Sequence, residues 1–206
     1  MRALAAYAVA TALLAGGCAQ PTVSEGVGSL GEVPGDSVLL VGRIEIVPRI
    51  KPEEQTFKVG WDAFNARRHY IGRALLFTAE EPKYRDYTDH VLNPPLEETF
   101  FVRVPRKHRY MVKGSVTMSF QARAVSRRQV ATEQVELLFP VPVELDIRPG
   151  DRAIYLGTLR LHRDEFHEVT KAQILDHYAS AAAEFKGKFG AGTTLRKALL
   201  KPVRAK

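Results

Sequence analysis

Apolar and polar residues alternate with a period of two over much of the chain. From Arg109 to Arg123 the even positions carry apolar residues or glycine, and every odd position except Met111 is polar. Between Gln134 and Ile147 every odd position is apolar instead, and Leu138 breaks the alternation at an even position. This period is typical of strands with one buried face and one face in solvent. Prolines at positions 140 and 142 remove ladder donors, so the second segment predicts an edge strand or one that changes sheets near residues 140–142.

Further strand candidates lie on either side of these two segments. Ser37–Val47 is apolar at one end and alternating at the other, and it lies between Gly35 and Pro48. The remaining candidates are residues 55–60, 73–79, 153–161 and 166–175, whereas residues 61–70 fit either a short helical turn or a loop. About seven or eight strands with no long helix between them favour a two-sheet antiparallel β-sandwich over residues 37–175, as in immunoglobulin-like domains.

The pattern changes in residues 176–206. Asp176 is placed to cap a helix in which one stripe repeats at helical spacing, formed by Tyr178, Ala182, Phe185 and Phe189. Gly190 is expected to end this helix. A second, shorter helix is predicted from Thr193 or Thr194 through Lys201. The predicted fold class is therefore mainly β, with one or two C-terminal α-helices.

The first residues predict export. Arg2 precedes a twelve-residue apolar run, Ala3 through Leu14, which ends in Ala15-Gly16-Gly17-Cys18. A basic flank, a short apolar core and small residues are typical of a secretory signal, here residues 1–17. The run is shorter than the roughly 20 residues that a spanning helix needs. Residues 18–36 are rich in Gly, Pro, Ser and Glu, which predicts a flexible tether; the other interpretation is an irregular lead-in packed on the domain.

Leu13-Leu14-Ala15-Gly16-Gly17-Cys18 resembles the lipobox of bacterial lipoproteins. The resemblance implies that the signal is removed just before Cys18 and that the Cys18 thiol, the only one in the chain, carries the lipid. Ala19 stands where the family's inner-membrane retention signal is an aspartate, which implies the periplasmic face of the outer membrane or the cell surface. Two alternatives remain open: ordinary signal cleavage after Ala19, and a cysteine that acts as a small buried hydrophobe.

Residues 143–159 resemble a pattern in small bacterial lipoproteins with immunoglobulin-like or transthyretin-like β-sandwich domains. In this pattern a strand, the Pro149-Gly150 turn and a strand bearing Tyr155-Leu156-Gly157 form a hairpin. The physical content is a turn at Pro-Gly and a close approach to Gly157 by a neighbouring chain or ring. The resemblance implies a fold and a location, and it carries over no catalytic residue.

Candidate chemistry is sparse. The densest cluster, residues 162–168, holds two histidines and three carboxylates and fits either a metal site or a solvated turn. Three adjacent glutamate pairs sit beside prolines or loops, which favours solvated turn residues over acid–base catalysis: Glu53-Glu54, Glu80-Glu81 and Glu97-Glu98. Trp61, Phe64 and Tyr70 fit either a pocket lining or core packing. The chain has no nucleophile-elbow, Walker or Rossmann motif, so we predict no enzyme activity and no cofactor.

The net charge is +7, and half of the 30 Lys and Arg residues lie in two segments without an acidic residue. These cations are Arg103, Arg106, Lys107, Arg109, Lys113, Arg123, Arg127 and Arg128 in the first segment, and Lys186, Lys188, Arg196, Lys197, Lys201, Arg204 and Lys206 in the second. The export signal argues against nucleic acid as their partner. They fit an anionic envelope component or another envelope protein, or simply a solvated basic face.

The sequence therefore favours a non-enzymatic outer-membrane lipoprotein whose sandwich acts as a binding or structural module. Two rival hypotheses are a metal-dependent envelope hydrolase, based on residues 162–168, and a carrier of an apolar ligand inside the sandwich.

Overall fold

A computed structural model describes residues 22–24, 26–55, 71–83, 90–121 and 132–203. The described strands and helix, in chain order, are β1 (Thr22–Ser24), β2 (Ser37–Val47), β3 (Leu75–Ala79), β4 (His90–Leu92), β5 (Thr99–Pro105), β6 (Tyr110–Gln121), β7 (Thr132–Leu138), β8 (Val143–Glu144), β9 (Ala153–Arg163), β10 (Val169–Leu175), α1 (Tyr178–Phe189), β11 (Arg196–Lys197) and β12 (Lys201–Pro202). Short 3-10 turns occupy Leu30–Glu32 and Pro52–Gln55.

These strands form two sheets packed against each other, as the mainly-β prediction required. The first sheet has the order β1-β4-β3-β6-β8-β12, with β7 also beside β6. The second sheet has the order β10-β9-β2-β5, with β11 also beside β9. Most neighbours are antiparallel, but β2 and β9 pair in parallel, as do β1 with β4 and β11 with β9. The sheets are therefore mixed rather than purely antiparallel.

Strand β2 shows how the second sheet is buried on both faces. Val38, Leu40, Ile44 and Ile46 belong to the core between the sheets. Residues of opposite parity, Leu39 and Val41, belong to a second apolar cluster on the outer face of the sheet. A strand covered on both sides needs a nearly continuous apolar run, and this explains the crowded apolar end of Ser37–Val47.

Helix α1 covers that outer face. Phe185 is fully buried, Ala181 is 6% exposed, and Tyr178, Ala182 and Phe189 pack around them. An Asp176 carboxylate oxygen accepts a hydrogen bond from the backbone N–H of Tyr178 at 3.1 Å. At the other end Gly190 has a φ of +94° and its N–H donates to the Lys186 carbonyl at 2.9 Å. The stripe and the end predicted for this helix are confirmed, whereas His177, and not the predicted Asp176, occupies the N-cap position. Within the described residues, no helix is both long and apolar enough to cross a membrane.

The predicted second C-terminal helix is wrong. Arg196–Lys197 instead forms β11, which runs parallel to Ile154–Tyr155 of β9. The extension continues through backbone hydrogen bonds from Ala198 to Tyr155 at 2.9 Å and from Leu200 to Leu156 at 3.0 Å. Strand β9 offers this segment backbone hydrogen-bonding partners, and the extended form buries its side chains alternately. These two gains outweigh a modest local preference for helix.

The prolines at 140 and 142 interrupt a strand without moving it to the other sheet. Both β7 and β8 pair with β6, so of the two predicted alternatives the change of sheets near residues 140–142 is wrong. Strands β8 and β9 belong to different sheets, so the hairpin that the resemblance implied across Pro149-Gly150 is wrong as well. At the interruption the Phe139 ring lies where a Cβ on Gly114 would approach it to 2.5 Å. The missing side chain of Gly114 therefore makes room for the ring.

The polar face of β6 is also covered along part of its length. Ser115 is 1% exposed and Thr117 is 8% exposed, although both lie on the face predicted to be in solvent. The Pro52–Gln55 turn covers this position, and the Gln55 side-chain amide donates to the Thr117 carbonyl at 3.1 Å. The period of two was correct, but it does not reveal a loop that folds over the polar side.

Residues 26–36 pack on the domain. This is the arrangement described by the interpretation of the segment as an irregular lead-in. Val27 is 3% exposed and Val33 is 5% exposed, and both belong to the cluster beneath α1. The Val27 N–H donates to the Phe101 carbonyl at 2.9 Å. Just before this segment, β1 pairs with β4. The segment that runs from β1 to residue 36 therefore contacts both sheets.

Candidate functional site

In the structure, the polar turn at residues 162–168 is organised around Arg163. Its guanidinium binds both carboxylate oxygens of Glu54 at 2.8 Å and donates to the carbonyls of Pro48 and Arg49. It also donates to Nδ1 of His167 at 2.6 Å. Burial, together with the Arg163 charge, lowers the pKa of His167 below its ordinary value, so this histidine is held neutral as an acceptor.

The other members of this turn have local structural partners. An Asp164 carboxylate oxygen accepts the backbone N–H groups of Phe166 and Glu168, both at 2.9 Å. His162 Nε2 lies 3.1 Å from the side-chain oxygen of Gln173 on the neighbouring strand. Across the described ranges, no group of three or more His, Cys, Asp or Glu side chains is arranged to hold a metal ion. The geometry gives the metal hypothesis no support.

Several cations of the first basic segment tie neighbouring turns together. Arg106 donates to the Gly35 carbonyl at 2.9 Å and also to the carbonyls of Arg148 and Asp151. Arg109 donates to the Ile147 carbonyl. Lys107 pairs with Glu80 at 2.8 Å. These contacts hold the β5–β6 turn against the turn that precedes β9.

Cations of the C-terminal segment are similarly engaged. Arg196 binds both carboxylate oxygens of Asp151, at 2.8 and 2.7 Å, and one of Asp146 at 3.3 Å. Lys197 pairs with Asp176 at 2.8 Å, and Lys188 lies 4.6 Å from the centre of the Phe101 ring. Much of the predicted basic face therefore consists of cations with partners inside the fold. The predicted cations at positions 123, 127, 128, 204 and 206 lie outside the described residues.

The three glutamate pairs are dispersed. Glu54 binds Arg163 and Glu80 binds Lys107, so each serves a different turn. A Glu97 carboxylate oxygen accepts the backbone N–H of Ile46 at 2.9 Å and the other pairs with Arg49 at 3.4 Å. Each pair contributes a structural contact at a separate place, and Glu54 and Glu97 are partly buried where solvated residues were expected.

A cleft of about 480 Å³ opens between the N-terminal half of α1 and the second sheet. It forms where the β2–β9 pairing shifts register between Val41 and Arg43. Gly157, at this bulge, has a φ of +96°, and a Cβ there would lie 2.8 Å from the Ile174 side chain. The lining residues are Gly42, Arg43, Glu45, Thr99, Tyr155, Thr158, Asp176, His177, Ala179, Ser180, Ala181 and Glu184.

The cleft presents hydroxyl groups and charges of both signs. The Tyr155 hydroxyl accepts the backbone N–H of His177 at 2.8 Å, and burial raises the pKa of this phenol. The Thr158 hydroxyl lies 3.2 Å from His177 Nδ1. Glu45 lies between two guanidinium groups, 3.1 Å from Arg43 and 2.8 Å from Arg160. The lining therefore combines apolar surface with a small number of groups that donate or accept hydrogen bonds, as ligand pockets commonly do.

Sequence reasoning located the glycine of the bulge beside this cleft and missed the cleft itself. The expected close approach at Gly157 is confirmed, since Ile174 and the Leu175 carbonyl lie against it. Glu45 and Ser180 stand in no local sequence motif. They reach the same cleft only through the pairing of strands that are distant in sequence and through the docking of α1. The other predicted site residues, Cys18, Trp61, Phe64 and Tyr70, lie outside the described residues, as does the signal at 1–17.

No family model matches this chain, no curated protein matches its sequence, and no solved structure matches its fold. The class of protein that the structure defines is a two-sheet β-sandwich with one helix packed on an outer face.

Proposed function

We propose that this chain is a bacterial envelope lipoprotein, anchored at the periplasmic face of the outer membrane by acyl chains on Cys18. The observation that carries this proposal is the apolar run that closes on Leu13-Leu14-Ala15-Gly16-Gly17-Cys18, with the chain's only cysteine at its end. One acyl chain binds membranes marginally, whereas two or more give a stable anchor. The lipid provides the attachment, and the β-sandwich is the exposed functional part.

We further propose that the sandwich is a non-enzymatic binding module and that the cleft beside α1 is its binding site. The ligand is a polar group with donors and acceptors, supplied by another envelope protein or an anionic envelope component. Arg43, Glu45 and Ser180 provide charged and hydroxyl contacts at this place. The charged and hydroxyl groups at this place favour a polar ligand, and Arg163 already donates to His167, one of the groups on which a metal-dependent hydrolase would rely.

The anchor is tested by labelling cells with a palmitate analogue. We expect label on the native protein and on an Ala19→Ser control, and none on Cys18→Ser. Label that persists in Cys18→Ser, or is missing from the native protein, would contradict the anchor.

The cleft is tested by crosslinking in whole envelopes, followed by capture of the protein. Ser180→Trp fills the cleft, whereas Ala183→Trp places the same side chain at an exposed position on α1 that does not line it. We expect the captured partner to be lost from Ser180→Trp and retained by Ala183→Trp. Equal capture by the two variants would exclude the cleft as the binding site.

A further inference from the structure

The position of β1 limits how far the domain can stand from its anchor. Thr22, the first residue of β1, follows Cys18 by four residues. Four fully extended residues span at most about 14 Å. A flexible tether over all of residues 18–36 would have a typical reach of about 23 Å and would leave the domain free to rotate. Because β1 and residues 26–36 contact the domain, that longer reach is lost.

The same strand defines which end of the sandwich lies next to the anchor. Thr22 is in register with His90, His90 with Thr78, and Ala79 with Tyr110. The β5–β6 turn at residues 105–109 therefore lies at the same end as Thr22. Strand β2 begins at this end too, because Ser37 is in register with Pro105. We call residues 34–37, 80–83, 105–109 and 145–152 the anchor end.

The opposite end of the sandwich lies one full strand away. Strands β2 and β9 each have 11 residues and run in parallel from the anchor end. At about 3.3 Å per residue, each spans about 36 Å. The turn at residues 164–168 follows β9, and we call it the distal turn.

We propose that the anchor end faces the bilayer and contacts its lipid headgroups. This inference rests on the proposed anchor at Cys18, since the reach is measured from the lipid. The end presents Lys107 and Arg148, whose side chains are 62% and 64% exposed and which pair with Glu80 and Asp146 of the same end. Arg152 is exposed as well. The four ranges together hold six Lys and Arg residues and five Asp and Glu residues, so their charges nearly balance. The short reach from Cys18 and the position of Thr22 at this end therefore determine the orientation.

The test uses full-length, acylated protein in vesicles of phosphatidylethanolamine and phosphatidylglycerol. Since the lipid occupies the Cys18 thiol, Lys107→Cys and Glu165→Cys each add one free thiol for a fluorophore, at the anchor end and the distal turn. Energy transfer is measured to acceptor dyes on the lipid headgroups. We expect transfer to be several-fold more efficient from position 107 than from position 165. Equal transfer, or stronger transfer from position 165, would overturn the orientation.

A third variant tests the reach itself. A Gly/Ser linker of about 20 residues, inserted between Ala19 and Gln20, adds a typical reach of about 25 Å. The ratio of transfer between the two positions should fall towards one, and a ratio unchanged by the linker would contradict the short reach as its cause.

Intact-mass measurement separates failure of the orientation from failure of the anchor. Acylated protein with equal transfer at both positions overturns the orientation alone. An unmodified Cys18 overturns the anchor and with it the orientation.

Discussion

Arg163 and Arg196 lie at opposite ends of the sandwich and form similar ion pairs, but the two side chains differ in exposure to solvent. The Arg163 side chain, beside the distal turn, is 4% exposed and binds a single carboxylate, Glu54, together with two backbone carbonyls. The Arg196 side chain, near the anchor end, is 23% exposed and binds two carboxylates, Asp146 and Asp151. Both join segments that are distant in sequence. Charge clusters that suggest a ligand site in a sequence are here contacts that close the fold, and the deeper of the two should matter more.

The largest effect is expected from Arg163→Ala. Removing this guanidinium leaves the Glu54 carboxylate and the carbonyls of Pro48 and Arg49 without their main donor. Losing one partner of a buried ion pair typically costs about 3–5 kcal/mol, and because Glu54 is 23% exposed we expect about 3 kcal/mol. Urea unfolding followed by circular dichroism measures this loss.

Lys171→Ala, at an exposed position on β10, is the matched control and should change the free energy of unfolding by less than about 0.5 kcal/mol. If Arg163→Ala does not fold, Glu54→Gln provides a milder disruption of the same pair. A loss no larger than that of the control in both variants would rule out the structural role of Arg163.

Arg196→Ala should have a smaller effect, about 2 kcal/mol. Its own side chain is 23% exposed and its partner Asp146 is 31% exposed and also pairs with Arg148 at 3.2 Å, whereas its other partner Asp151 is 9% exposed. Partly exposed charge networks contribute less than buried ones. Unfolding in urea under the same conditions gives the comparison, and a loss greater than that of Arg163→Ala would reverse the proposed order of the two ends.

The two networks should also differ in their response to acid. Burial opposes ionisation of Glu54 and Asp151, but Arg163 and Arg196 outweigh it, so the pKa of each carboxyl lies below its ordinary value of 4.5 and 3.8, respectively. The unfolded chain therefore binds these protons first. The resulting stability is present above those ordinary values and is lost as the pH falls through them towards the lowered pKa values.

His167 adds a loss that begins at higher pH. Its pKa is below the ordinary value of 6.5, so unfolding takes up a proton as the pH falls past that value. Urea unfolding between about pH 7 and about pH 3 should show a shallower decline for Arg163→Ala than for Arg196→Ala above about pH 4.5, because only the former disturbs His167 and Glu54 together. Equal slopes would indicate that these groups do not couple to Arg163.

The smallest effect is expected from exposure of the protein to zinc, measured as bound metal. Since Arg163 donates to His167 and Asp164 accepts two backbone N–H groups, zinc would have to displace existing contacts. Elemental analysis of purified protein after exposure to zinc should give the same low content for the native chain and for a His162→Ala, His167→Ala double variant. Stoichiometric zinc that disappears in the double variant would restore the metal hypothesis.

The sequence predicted individual elements better than their arrangement. Strand β2 has the expected bounds, because glycine and proline flank its apolar run, and α1 has the expected stripe. The segment from residue 193 to residue 201 carries the same kinds of local signal as α1 yet is extended, because β9 offers it a backbone ladder. Periodicity shows which face of a strand is buried but not which strand lies beside it, so the parallel β2–β9 pair could not be foreseen.

The sequence predicted only the part of this region in which a single residue determines the local backbone conformation. Gly157 needs its positive φ and its close neighbours, and its sequence context already indicated the close approach. The cleft itself depends on Arg43 from β2, Thr158 from β9 and Ser180 from α1. Those elements are distant in sequence, and none of these residues stands in a local motif.

The parallel β2–β9 pair also has a consequence for the order of folding. Glu45 and Arg160, which bond across it, are 115 positions apart. The second sheet therefore cannot close until most of the polypeptide has been made, and such long-range pairing is slow to form. A nascent chain of this kind stays open until residues 153–163 have been made, and a truncation before residue 153 leaves β2 without its central neighbour β9.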